Sequence, residues 1–182
     1  MKAVDPTIWC GINGGSTGET DPDRTWDEAL FSNSEAIAAA DFFIQHPSAR
    51  VGPDRYKLPA LMEKVLRDTE RLIERSDNPE LMINISEYYP YWASRGITQN
   101  NALICADMIR IMLERRVFSA QYWDMVNVPP QFSAISSVDG SADRFYLSVM
   151  GQVLRLYNHY FLAETLVETR GSNIPQNQGM DE

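Results

Sequence analysis

Hydrophobic residues fall along this chain in two alternating rhythms. Four runs are apolar at nearly successive positions: Thr7-Ile8-Trp9-Cys10-Gly11-Ile12, Asp41-Phe42-Phe43-Ile44-Gln45-His46, Leu81-Met82-Ile83-Asn84-Ile85-Ser86-Glu87 and Ser119-Ala120-Gln121-Tyr122-Trp123-Asp124-Met125-Val126. Turn signals bound them: Asn13-Gly14-Gly15 follows the first, Pro47 stops the second, Asp77-Asn78-Pro79 precedes the third and Pro129-Pro130 stops the fourth. Continuous apolarity suits strands covered on both faces, as in a parallel sheet. Between the runs the period changes. From Lys57 to Arg75 the apolar residues Leu58, Leu61, Met62, Val65, Leu66, Leu72 and Ile73 form one stripe of an amphipathic helix, with Arg and Glu opposite. A second helix is predicted over Asn100 to Arg116 on Leu103, Ala106, Met108, Ile109 and Met112, and a third over Ala142 to Phe161 on Val149, Val153, Leu154 and Tyr157. A shorter one is predicted over Trp26 to Ala40.

The strands begin roughly 35–40 residues apart, the length of a strand–helix unit with some loop insertion. Four such units use up the 182 residues, whereas a full (β/α)8 barrel takes about 250. Half of such a barrel and an open doubly wound sheet both fit this spacing. The open sheet's usual chemistry finds no support, because the chain has neither a dinucleotide-binding fingerprint nor a phosphate loop. Gly11-Ile12-Asn13-Gly14-Gly15-Ser16 is glycine-rich but lacks the spacing and the lysine, so it reads as a plain loop.

Charge narrows the partners. With 25 acidic residues against 16 basic ones, the formal net charge of −9 argues against nucleic acid, whose phosphates need concentrated Lys and Arg. No basic amphipathic face suggests a membrane surface, and no window approaches the ~20 apolar residues of a span. Residues 1–6 lack the apolar stretch of a signal peptide, so a cytoplasmic location is the expectation. Cys10 and Cys105, with two widely separated histidines, point to neither a disulfide framework nor a structural zinc, and no cofactor is implied.

Parallel α/β folds bind ligands at the carboxyl ends of their strands. Asn13, His46, Glu87 and Asp124 stand there, with Tyr88, Tyr89, Tyr91, Trp92 and Trp123 nearby. Aromatic rings beside carboxylates are what a sugar site uses: flat faces for the apolar side of the ring, and charge for an oxocarbenium-like transition state. Plainer readings stand beside this one. Glu87 could equally bind a neighbouring helix N-terminus, and His46 before Pro47 fits a structural histidine more readily than a catalytic one. Trp123 and the aromatic run from Tyr88 to Trp92 could be core. Strand alternation sends Trp123 and Asp124 to opposite faces, so an inward Trp123 leaves Asp124 structural.

At these residues the chain resembles a known family. Ile83-Asn84-Ile85-Ser86-Glu87-Tyr88-Tyr89 is similar to the seventh-strand motif of clan A glycoside hydrolases, particularly the family 51 α-L-arabinofuranosidases, in which the Glu is the nucleophile. Residues 1–8 are similar to the approach to their fifth strand, and Asp41 to His46 to their sixth, which carries a substrate-side His. Ala102 to Trp123 resembles the helix after the nucleophile and the eighth strand. The resemblance implies strands five to eight of a (β/α)8 barrel over residues 1–169, with Glu87 catalytic and His46, Tyr88, Trp123 and Asn13 on the substrate. Carbohydrate is the implied partner. The family's acid/base Glu would precede Met1, and Pro47-Ser48-Ala49 replaces the usual continuation of the sixth strand. Leu166-Val167-Glu168 is the one candidate trace of the family's following β-sandwich, and residues 170–182 read as a disordered tail. A half barrel has two open edges and a bare inner face, so closure by a second copy or by an N-terminal half-barrel is expected. A non-catalytic half-barrel that self-assembles or binds carbohydrate is the other reading.

Overall fold

The computed structural model describes residues 5–15, 21–47, 57–90, 98–127, 133–137 and 144–160. Four parallel strands pair in chain order: β1 (Gly11–Asn13), β2 (Phe42–Gln45), β3 (Met82–Tyr88) and β4 (Val117–Tyr122). Helices connect them: α1 (Asp21–Phe31) and α2 (Ser34–Ala39), then α3 (Leu58–Glu74), then α4 (Gln99–Leu113). This is the strand–helix alternation expected of half a barrel. Beyond β4 come a small sheet of β5 (Val126–Asn127), β6 (Ile135–Ser137) and β7 (Phe145–Leu147), and α5 (Val149–Tyr160).

Three of the helices begin for a local reason. Asn33 caps α2 by accepting the Ala36 N–H on its side-chain oxygen at 3.1 Å, and Thr98 caps α4 by accepting the Asn101 N–H at 3.2 Å. Pro59 sits in the first turn of α3, where its missing N–H removes no intrahelical bond. The Asn33 cap also divides the single helix expected over residues 26–40 into α1 and α2.

The core lies between the sheet and these helices. Phe43, Ile83 and Ile85 point from the strands into Ile37 of α2, Met62, Leu66 and Ile73 of α3, and Cys105, Met108 and Met112 of α4. α5 closes the far side with Met150, and the Tyr157 hydroxyl donates to the Ala106 carbonyl at 3.1 Å. Leu103, assigned by pattern to the apolar stripe of α4, instead faces solvent.

Three expectations change. The first paired strand is three residues, Gly11–Asn13, because the chain before it is not laddered to β2. The fourth starts two residues earlier than expected and stops at Tyr122. The β5–β7 sheet lies where the pattern predicted a loop and the start of the last helix, which begins only at Val149. Residues 161–182, including Leu166-Val167-Glu168 and the expected tail, lie outside the described residues, as do Tyr91 and Trp92.

The opposite face of the parallel sheet is open. Trp9 is 59% exposed and Phe118 43%, and their rings lie 5.8 Å apart, with Phe42 a further 5.5 Å from Phe118. Gly11 makes room for this cluster, since a Cβ there would lie 2.2 Å from the Phe42 ring. No described helix is long and apolar enough to cross a membrane.

Candidate active site

Side-chain alternation in β2 sends Phe43 and Gln45 to the helices and Phe42 and Ile44 to the open face. His46, the next residue, continues the open-face series. In β3 the same rule would bury the nucleophile candidate, because Ile83, Ile85 and residue 87 share one parity and the two isoleucines are in the core.

A bulge breaks that rule. Ile85 pairs with Ala120 but Tyr88 pairs with Tyr122, so Ser86 and Glu87 together oppose the single residue Gln121. An extra residue of this kind re-aims the side chains that follow it. Tyr88 takes the core position, its ring edge-on to Tyr122 at 5.4 Å, and Glu87 turns to the open side. There its Oε2 lies 3.2 Å from His46 Nε2, both side chains half-buried. The pair therefore stands at the carboxyl ends of adjacent strands, where parallel α/β folds bind ligands. The His46 N–H can donate to one carboxylate oxygen, orienting the group while the other oxygen remains available for chemistry. Glu87's described partner is thus a histidine and not a helix N-terminus.

The remaining candidates are more dispersed. Asn13 ends β1; its carbonyl accepts the Trp26 indole N–H at 3.1 Å and its side chain is exposed. Trp123 follows β4, its backbone N–H donating to the Tyr88 carbonyl at 3.0 Å, and the residue is 47% exposed. The Trp123–Asp124 peptide is cis. Tyr88 lies on the helix side of the sheet, away from Glu87, and burial holds its phenol well above the usual range. Asp124, after the cis peptide, is half-buried; burial raises its carboxyl, and its Oδ1 is buried without a hydrogen-bond partner. Tyr89 is buried. Among the described residues no group of three or more His, Cys, Asp or Glu side chains is placed to hold a metal ion.

Pattern reasoning passed over a polar cluster directly behind the site. Gln45, Asp27 and Thr69 are all buried, and the Gln45 amide donates to both of the others. The signal was present: Gln45 interrupts an otherwise apolar strand.

No family model matches the chain, and no curated protein matches it in sequence. Solved structures do match in fold. A family 51 α-L-arabinofuranosidase from Bifidobacterium longum superposes with a TM-score of 0.68 at 12% identity, over 86% of this chain and 38% of that one. A monomeric β-xylosidase from Caulobacter crescentus CB15 gives 0.59 at 16% identity over 86% and 34%. A family 39 β-xylosidase from Caulobacter crescentus gives 0.57 at 17% identity over 87% and 34%. The chain spans little more than a third of the length of these enzymes. Its four parallel strands and their helices have the fold of part of a clan A glycoside hydrolase TIM barrel.

Proposed function

We propose that this chain is a half-barrel of a retaining glycoside hydrolase, α-L-arabinofuranosidase-like, which acts on carbohydrate through Glu87. The observation that carries this reading is the Glu87–His46 pair, 3.2 Å apart at the carboxyl ends of neighbouring parallel strands. In the reaction a Glu87 oxygen attacks the anomeric carbon as the bond to the leaving group breaks, giving a glycosyl–enzyme ester that water then hydrolyses. His46 orients the carboxylate, and Trp123 and Asn13 on the rim contact the sugar, the tryptophan through its ring face.

Retaining hydrolysis also needs a second carboxyl group about 5–5.5 Å from the first, acting as acid and then base. The described ion-pair contact of Glu87 is with His46 and supplies no such group. The same half leaves Trp9 and Phe118 exposed and the outer edges of β1 and β4 unpaired within the sheet order. Closure by a second copy, each β4 edge pairing in parallel with the other copy's β1, makes eight strands, the number whose interior side chains just fill. That assembly is part of the proposal.

The test is covalent labelling with an activated 2-fluoro glycosyl fluoride, whose departing fluoride needs no protonation. Mass spectrometry should find one glycosyl unit on the peptide carrying Glu87, and none in Glu87→Gln. A folded protein that stays unlabelled across arabinofuranosyl and xylosyl reagents refutes the nucleophile assignment and leaves a non-catalytic half-barrel.

A further inference from the structure

Gln45 is 1% exposed and sits in a strand whose other core-facing residue is Phe43. A hydrophobic residue would fill that position without any polar group to satisfy. The amide is instead fully committed as a donor: its Nε2 reaches Asp27 Oδ2 at 2.8 Å and Thr69 Oγ1 at 3.1 Å, while its Oε1 has no hydrogen-bond partner. Asp27, 6% exposed, accepts the Gly15 N–H on its other oxygen at 2.6 Å, and the Thr69 hydroxyl donates to the Val65 carbonyl at 2.9 Å. Gly14 N–H in turn donates to the Ile44 carbonyl at 2.8 Å. The cluster thus ties α1, the end of β1, the end of β2 and α3 to one another at the level of the candidate site.

We infer that Gln45 is a positioning residue that sets His46, and through it Glu87. Three features support this. Charge-assisted hydrogen bonds to a buried carboxylate are short, strong and directional, where apolar packing fixes position only loosely. Gln45 and His46 share one peptide unit, so fixing the first limits where the imidazole of the second can lie. The polar anchors occur at the carboxyl end of β2, while the core-facing residue two positions earlier is apolar, so polarity is concentrated where precision matters to a ligand. The inference rests on the reading of Glu87 and His46 as the working pair, yet its test needs no turnover.

The chain has two histidines, His46 and His159, and His159 on α5 serves as an internal reference. The experiment records the imidazole nitrogen and carbon signals of isotope-labelled histidine in the full chain at one fixed pH. Glu87→Gln should displace the His46 signals and leave those of His159 in place. Gln45→Met keeps the volume but cannot donate, and Thr69→Val removes the second acceptor at nearly constant shape. Both should move His46 in the same direction as Glu87→Gln. Native near-ultraviolet circular dichroism, with His46 at the parent position in Gln45→Met and Thr69→Val, overturns the inference. If Gln45→Met does not fold, Thr69→Val decides alone. Failure to label Glu87 in a parent protein whose His46 follows these variants refutes the glycosidase reading and leaves the positioning intact.

Discussion

Substituting Phe118 by Asp separates closure of the barrel by a second copy from an independent half. Phe118, the second residue of β4, lies on the open face, 43% exposed, and its ring touches Trp9 and Phe42. Full burial of such a side chain contributes about 1.5–3 kcal/mol, so covering the remaining exposed part contributes about 1 kcal/mol per copy. Asp removes that gain and leaves an unpaired carboxylate in a closed apolar interior, an effective cost of about 2 kcal/mol or more per copy. A two-fold assembly doubles both terms, about 6 kcal/mol in all, which corresponds to roughly 10^4-fold in Kd. In the separated chain the site stays open to water. The loss there is that of two ring contacts, about 1 kcal/mol each. Light scattering after size exclusion, followed by sedimentation equilibrium, should therefore give the parent at twice 20.7 kDa and Phe118→Asp at 20.7 kDa with a thermal midpoint only modestly lower. A parent chain at 20.7 kDa, or a Phe118→Asp dimer of unchanged Kd, refutes closure between copies.

Two further outcomes test the packing beneath the site. Gly14→Ala would place a Cβ 2.6 Å from the Phe43 ring and 2.8 Å from the Ile44 carbonyl oxygen; because the latter is backbone, the strand end must move, and urea titration should show a loss of about 1–3 kcal/mol. Burial pushes the Cys105 thiol from 9.0 up to about 12, so the unfolded chain ionises first and binds fewer protons than the folded one as pH rises above 9. Stability present below pH 9 is then lost as pH climbs toward 12, by about 1 kcal/mol between pH 9 and 10. Urea midpoints at pH 8, 9 and 10 should fall more steeply in the parent than in Cys105→Ala, where the buried Tyr88 and Tyr122 phenols, also raised, leave a smaller fall near pH 10; equal slopes would remove the thiol as a cause.

The helices and the sheet were largely legible because their signals are periodic and long. The seventeen-residue α3 carries its stripe from Leu58 to Ile73, and α4 needed a shift of boundary and the loss of Leu103 from its buried face. The β5–β7 sheet was not legible, since strands of two or three residues carry too few positions for any period to register. Glu87 and His46 were legible as strand-end residues, but their meeting was not. Strict alternation in Ile83-Asn84-Ile85-Ser86-Glu87 sends the carboxylate toward the helices, and only the register of β3 on β4 reveals the bulge that turns it round. Tyr88 was placed beside the substrate for its neighbourhood in sequence, and the same bulge puts it in the core with Tyr122. Gln45 stood in plain view in Phe42-Phe43-Ile44-Gln45-His46, but its partners come from α1 and α3, 18 and 24 residues away.

The bulge also explains how an apolar strand delivers a charge without opening the core. Before it, Ile83 and Ile85 pack on the helices; after it, Tyr88 does so again, and the inserted residue falls between them where the ladder can be interrupted. A Glu87 placed by uninterrupted alternation would enter that core, where an unpaired carboxylate costs several kcal/mol against a total stability of about 5–15 kcal/mol for a domain. What orients the nucleophile candidate is therefore internal to this half: the bulge in β3, His46 on β2, and the anchors behind β2. The gaps in the proposed enzyme, a second carboxyl group for Glu87 and a cover for Trp9 and Phe118, both belong to the open side of the sheet. Addition of strands to the edges of β1 and β4, which no described strand pairs, would cover Trp9 and Phe118, and the second carboxyl group would have to come from the strands so added. Covalent labelling by a reagent that needs no acid, and turnover of substrates that do, should accordingly respond differently to Phe118→Asp: labelling of Glu87 persists in the separated chain, while any hydrolysis is lost with closure.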